Sequence, residues 1–348
     1  MIGFSFYLNQ TITKETIEYF KNMKDSGFSE VFTSTDIPND KLPSYFDNLY
    51  RLSDLTKELD LKLIVGVSNQ SFEILSKQTD FNNYHDQMTF RLDSSFSNEN
   101  IAQLYKSESI ALDASTIGNS DIVELKKLKV NFSDLDAWYD SYPHIDTGLD
   151  LTWFAQKNRW LKKLGFQIHA FVTGSEPLNE PFNAGMPTLE RHRKALPFIA
   201  AIELQKLDVD NVVIGDSYLE PSQQKSFYAY FTDGYIPLHM SGTRIGTPKY
   251  LFTEIFHNRK DPARDLIRLT ESRKMNLNTI EPTNNTNRIF GSVTIDNRLF
   301  ETYMGEIQIV CTHLPASQKV NVLGKIIKDD LKLLSYIDGG AAFKLIKV

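Results

Sequence analysis

The chain has 348 residues, 41% of them hydrophobic, with a formal net charge of -6 and a pI near 5.7. That length calls for one large barrel or two domains, and the acidic balance argues against nucleic acid or an anionic membrane as partner, since phosphate-rich surfaces are met by clustered basic residues. The single cysteine, Cys311, excludes an internal disulfide and fits a reducing compartment; in its alternating apolar run it reads as a buried structural thiol.

Residues 1–8 lack the basic flank and small-residue cleavage site of a signal peptide. No apolar run approaches the ~18 residues of a membrane span, so a cytoplasmic protein is expected. From there to about residue 230, short β-type runs alternate with longer amphipathic stretches, the pattern of repeated βα units. Strands are predicted over 2–8, 30–35, 61–68, 88–93, 109–115, 132–140, 166–173 and 211–217. Between them apolar residues recur at helical spacing, as with Ile17, Phe20 and Met23, or Phe46, Leu49, Leu52, Leu55 and Leu59. Thr13 is a candidate helix N-cap, and Gly27 and Gly165 stand where helices end and strands begin.

Eight units in about 230 residues match a (β/α)8 TIM barrel. An open doubly wound sheet is the main rival, but a dinucleotide site would want a glycine-rich turn after strand 1, and Asn9-Gln10-Thr11 offers none. After about Tyr235 the pattern changes to polar loops and two-residue alternation, as in residues 291–297 and 303–311. The expected division is therefore a barrel over 1–232 and a smaller β-rich domain over 235–348, with a helix near 329–337 and a last strand near 343–348.

Acidic residues are the richest chemical signal. Asp93, Asp113, Asp140 and Asp216 lie at or near the carboxyl ends of predicted strands, and Glu190 lies in the loop after strand 7. Parallel barrels build their active sites at that end, and two carboxyl groups with separated proton affinities are the equipment of glycoside hydrolysis. The competing role for each is a helix cap or loop acceptor. Function is favoured for Asp93, Glu190 and Asp216, whereas Asp113 and Asp140 fit either role.

Arg91 and Arg193 are the bases best placed to meet an anion; the alternative, somewhat favoured for Arg91, is a salt bridge to a neighbouring barrel carboxylate. Among Trp138, Tyr139, Tyr142 and Phe171, only Tyr142, pinned by Pro143, is read as a sugar-facing ring. The histidines are scattered without a zinc-ligand spacing, and His192 is read as helix surface. No Walker loop, nucleophile elbow or CxxC occurs, so no cofactor and no metal are expected.

The ordered blocks Gly27-Phe28 with residues 31–34, Arg91-Leu92-Asp93, residues 113–116, Tyr142-Pro143 with Thr147-Gly148, residues 187–193, Ile214-Gly215-Asp216, residues 257–259 and residues 291–297 resemble the bacterial 6-phospho-N-acetylmuramidase family along the whole chain. The resemblance implies a TIM barrel followed by a cyclophilin-like domain. It also implies cytoplasmic cleavage of a 6-phosphorylated N-acetylmuramyl–N-acetylglucosamine disaccharide in cell-wall recycling, giving N-acetylmuramic acid 6-phosphate and N-acetylglucosamine. On this reading Glu190 and Asp93 divide the roles of general acid and of nucleophile or base, and Asp216 positions hydroxyls. Ser34, Arg91, Asp113, Asp140, Tyr142 and Arg193 bind substrate.

The chain departs from the family's pattern at the barrel mouth. Gly66 stands for an Asp, Asp113 for an Asn, Tyr139-Asp140 for His-Asn, His144 for an Arg, and Ser175 and Asn179 for an Asp and an Arg. Two alternatives follow from these departures: hydrolysis of another glycoside, phosphorylated or not, or sugar binding without catalysis.

Overall fold

The computed structural model describes residues 1–35, 42–244, 246–275 and 278–348. The chain divides into two compact units, Met1–Lys225 and Ser226–Val348. In the first, all eight predicted strands form: β1 (Ile2–Ser5), β2 (Glu30–Ser34), β3 (Lys62–Val67), β4 (Met88–Leu92), β5 (Ile110–Asp113), β6 (Asp136–Trp138), β7 (Gln167–Val172) and β8 (Asn211–Ile214). Each pairs in parallel with the next, and β8 returns to β1 to close the barrel. Strand β6 is shortened most, because Phe132–Asp134 forms a 3-10 turn capped by Asn131.

Helices cover the outside. α1 (Lys14–Asp25), α2 (Leu42–Glu58), α3 (Asn69–Ser76) with α4 (Phe81–Tyr84), α5 (Asn98–Leu104), α6 (Asn119–Lys127), α7 (Leu151–Leu164), α8 (Pro197–Lys206) and α9 (Pro221–Phe231) follow β1 to β8 in turn. Thr13 caps α1 by accepting from the Thr16 N–H, and its own N–H donates to the Thr16 hydroxyl. Asp150 caps α7, which ends at Gly165 with φ of 101°, a conformation cheapest for glycine.

The barrel interior is plugged by Phe32, Ile64, Ala111, Trp138, Phe171 and Val213, one side chain from each of six strands. Trp138 stacks on Phe32 at 5.6 Å and on His169 at 4.1 Å. Burial of each large side chain contributes roughly 1.5–3 kcal/mol. Trp138 and Phe171 therefore form the floor under the mouth. Tyr139, on the opposite face of the chain from Trp138, points outward and donates to Asn158 on α7 at 2.7 Å.

The second unit holds β9 (Ile236–Ser241), β10 (Phe256–His257), β11 (Leu266–Arg268), β12 (Ser292–Asp296), β13 (Ile307–Val310), β14 (Val320–Ile326) and β15 (Ala342–Lys347). They form one mixed sheet in the order β10-β15-β9-β14-β12-β13-β11. The expected helix near 329–337 is a 3-10 run, Lys328–Tyr336, tied down by Asp330, whose carboxylate accepts from the His239 N–H. Cys311, just past β13, is half-buried rather than fully enclosed. Asp296 ends β12 with its carboxyl buried, and burial beside Glu306 pushes it up to about 7. Arg268 grips Glu306 with two bonds of 2.5 and 2.9 Å. Among the described residues no helix is long and apolar enough to cross a membrane.

Candidate active site

Two polar groups stand at the carboxyl ends of the barrel strands. On the β4–β6 side, Arg91 rises from β4 and is shared by two carboxylates, Asp140 at 2.6 Å and Asp113 at 3.3 Å. Asp113 ends β5 and is buried; it also accepts from the Ser115 N–H at 2.7 Å. Asp93, half-buried one residue past β4, accepts from the N–H and hydroxyl of Ser95.

Asp140 is half-buried, with 46% of its side chain accessible, against a buried Asp113. Loss of water from its surroundings raises its proton affinity above the ordinary aspartate range. Arg91 opposes that rise, and Asp113 and Asp93 add to it. The hydroxyl of Tyr142 lies 3.4 Å from Ser115 Oγ, placing this ring beside the same group.

The β7–β8 side is built differently. Glu190 opens a 3-10 turn, Glu190–His192, and meets Arg193 two-pronged at 2.6 and 2.5 Å. The Gly148 N–H donates to Glu190 Oε2 at 2.8 Å. Those hydrogen bonds, the arginine's first, outweigh desolvation and hold Glu190 down at about 2. Glu190 is therefore ionised at neutral pH, which does not suit the role of proton donor. Gly148 is a requirement of this contact that the sequence did not reveal: a Cβ there would lie 2.6 Å from the Glu190 nitrogen and 2.7 Å from Oε2. The signal was the Thr147-Gly148 pair just before the Asp150 cap.

Two expectations are corrected here. Arg193 was expected to face an anion, but its side chain is only 5% exposed. Besides Glu190, it donates to the carbonyls of Tyr142, Gly185 and His144 at 3.0, 2.9 and 3.1 Å. It is a strut joining two loops. His192, read as helix surface, is fully buried and bonded to Glu203 of α8 at 2.9 Å, because residues 190–192 form a turn folded under the rim rather than an exposed helix.

Asp216 is fully buried and clasps the long loop after β7, accepting from the N–H groups of Gly174, Asn179 and Met186 at 2.8, 3.0 and 3.2 Å. Both oxygens are occupied by backbone, so Asp216 supports the site from beneath instead of reaching a sugar hydroxyl. Asn179 belongs to the same clasp, its amide oxygen accepting from the Ser217 N–H at 3.2 Å. Ser175 Oγ accepts from the Glu220 N–H at 3.0 Å. Ser34 is half-buried at the end of β2, in register with Gly66 on β3; a Cβ on Gly66 would lie 3.5 Å from Ser34 Oγ. The exposed ring of His144 meets Phe182 edge-on at 5.5 Å.

A cleft of about 730 Å³ lies on the outside of the barrel between α1 and α9, with Lys14, Glu18, Tyr218 and Lys225 in its wall. It holds no converging acids at strand ends, so the mouth remains the candidate site. Among the described residues no group of three or more His, Cys, Asp or Glu is arranged to hold a metal.

Residues 2–229 match the family described as 6-phospho-N-acetylmuramidase, N-terminal, and residues 241–346 match 6-phospho-N-acetylmuramidase, C-terminal. The chain belongs to the 6-phospho-N-acetylmuramidase family. A crystal structure of a conserved Enterococcus faecalis protein of unknown function is 35% identical over 100% of this chain and 96% of its own, with a TM-score of 0.87. An uncharacterized B. cereus protein shares the fold at 23% identity and TM-score 0.79, covering 99% of both chains. Comparison with curated proteins gives no match.

Proposed function

We propose that this family member is a glycoside hydrolase whose chemistry lies at the barrel mouth, with Asp140 as general acid on the glycosidic oxygen. The observation that carries this is the opposite tuning of two carboxyls: Asp140 is raised and half-buried with an accessible side chain, whereas Glu190 is held ionised at about 2. Separated proton affinities of this kind mark acid and counter-charge in glycosidase sites. Glu190, ionised and locked to Arg193, fixes the rim loop that carries it beside the site. Asp93, close enough to Asp140 to raise its proton affinity, is the nucleophile or base. Ser34 and Tyr142 orient the sugar.

Membership of the 6-phospho-N-acetylmuramidase family supports a 6-phosphorylated N-acetylmuramyl–N-acetylglucosamine disaccharide as substrate, cleaved to N-acetylmuramic acid 6-phosphate and N-acetylglucosamine in cell-wall recycling. Family membership supports the same N-acetylhexosamine linkage here. The barrel over 1–232 carries the site and the domain over 235–348 accompanies it. Product release by the purified protein, followed by NMR, is the test. Asp140→Asn should lower turnover by about 10²–10⁴-fold, and less for an aryl leaving group that departs without protonation. Near-normal turnover of a poor leaving group by this variant would remove Asp140 from the role.

A further inference from the structure

Two exposed rings meet at the carboxyl ends of β6 and β7. Phe182, 49% exposed on the loop after β7, lies 5.5 Å from the exposed imidazole of His144, in the segment after β6, with the two planes 70° apart. An edge-to-face pair leaves one ring with both faces open and the other with one. Ile145, next in the chain, is 50% exposed. Apolar surface gathered at one rim marks a binding surface, unlike the scattered exposure any protein shows.

Both ring-bearing turns are held in place. The His144 carbonyl accepts from Arg193 at 3.1 Å and from the Thr147 hydroxyl at 2.7 Å. Phe182 sits in a turn closed by the Asn183 N–H on the Asn179 carbonyl at 3.0 Å, and the Asn179 N–H donates to buried Asp216 at 3.0 Å. Arg193 and Asp216, which do not reach the sugar themselves, thus fix the two rings, and a surface ordered beforehand loses less freedom on binding.

The reaction gives this surface a direction. Asp93, past β4, addresses the anomeric carbon, and Asp140, past β6, the glycosidic oxygen. With the strands in the order β4-β5-β6-β7, the sugar under attack lies toward β4 and the sugar that leaves lies beyond Asp140, over the loops after β6 and β7. His144 follows Asp140 by four residues, at most about 14 Å of extended chain.

We propose that His144 and Phe182 form the platform on which the leaving N-acetylglucosamine lays the carbon-bound hydrogens of its pyranose face. This rests on the hydrolytic reading of the mouth and adds the residues that select the leaving sugar.

The experiment compares kcat/KM of the parent, Phe182→Ala, His144→Ala and Phe182→Tyr on two substrates. One is the 6-phosphorylated N-acetylmuramyl–N-acetylglucosamine disaccharide; the other is the glycosyl fluoride of N-acetylmuramic acid 6-phosphate, whose leaving group has no ring. Saturation-transfer NMR of free N-acetylglucosamine reads binding separately. Phe182→Ala should lower kcat/KM for the disaccharide by about tenfold and leave the fluoride within about twofold of the parent. His144→Ala should act in the same direction, Phe182→Tyr should stay near the parent, and the N-acetylglucosamine signal should be lost in Phe182→Ala. An unchanged disaccharide rate in Phe182→Ala, an equal fall on both substrates, or hydrolysis of the fluoride alone by the parent overturns the platform. Should the parent hydrolyse neither substrate, the hydrolytic reading falls and the NMR decides: N-acetylglucosamine bound by the parent and not by Phe182→Ala supports the platform, and binding by both or by neither overturns it.

Discussion

The two sides of the barrel mouth use the same pair of groups, a carboxylate and an arginine, with opposite outcomes. On the β7–β8 side one arginine serves one acid, and Glu190 is held at about 2. On the β4–β6 side one arginine is shared, and Asp140 is raised above its ordinary range. An arginine's presence therefore does not fix the charge of its partner. The ratio of acids to cations around it, and the water left to them, decides.

Removing the shared cation breaks the comparison most strongly. Arg91→Met leaves buried Asp113 without its counter-charge, which should cost about 3–5 kcal/mol, read as the loss in denaturant midpoint. Loss below about 1 kcal/mol would mean that the acids on this side do not depend on Arg91.

Arg193→Met comes next, at about 3 kcal/mol, since it frees the carbonyls of Tyr142, Gly185 and His144 as well as Glu190. It also sharpens the pH contrast. A glutamate ordinarily near 4.5 and held at about 2 in the fold adds stability that is complete above about 4.5 and lost as pH falls toward 2. The variant should lose less stability than the parent over that window, as followed by thermal melts from pH 5 to pH 2.

Asp216→Asn tests whether the β7–β8 acid beneath the rim is structural. One amide cannot accept as well as a carboxylate from three N–H groups, and about 1–3 kcal/mol should be lost. Turnover per folded molecule should fall far less than in Asp140→Asn.

The last effect lies in the second unit and is read as a dependence on pH. Asp296, ordinarily near 3.8 and raised to about 7, keeps a proton when folded that it loses when unfolded, so stability declines as pH climbs from about 4 to 7. Asp296→Asn should be near neutral at pH 4 and should gain on the parent as pH rises to 8. A variant that is equally stable relative to the parent at both pH values would place the titration elsewhere.

The eight strands were legible because each is a short apolar run after a helix, and the acids were legible because they follow those runs. Their partners were not. Asp216 meets Gly174, Asn179 and Met186 across 42, 37 and 30 residues of sequence, and no local pattern reports a loop folding back on a strand end. His192 looked exposed because a charged Glu-Arg-His-Arg string resembles a solvated helix face, whereas a 3-10 turn sends this one ring inward to Glu203. Arg193 showed its charge but not its five protein acceptors, Ala184 included. Asp140 could not be separated from Asp113 by position; only exposure distinguishes them.

Tyr142 belongs to both sides at once: its carbonyl accepts from Arg193, and its phenol lies against Ser115. Anyone transplanting specificity between relatives would have to carry residues 142–149 and 184–193 as one cassette, with position 115 matched to the incoming phenol. Exchanging either segment alone would leave the recipient with a guanidinium whose acceptors had gone.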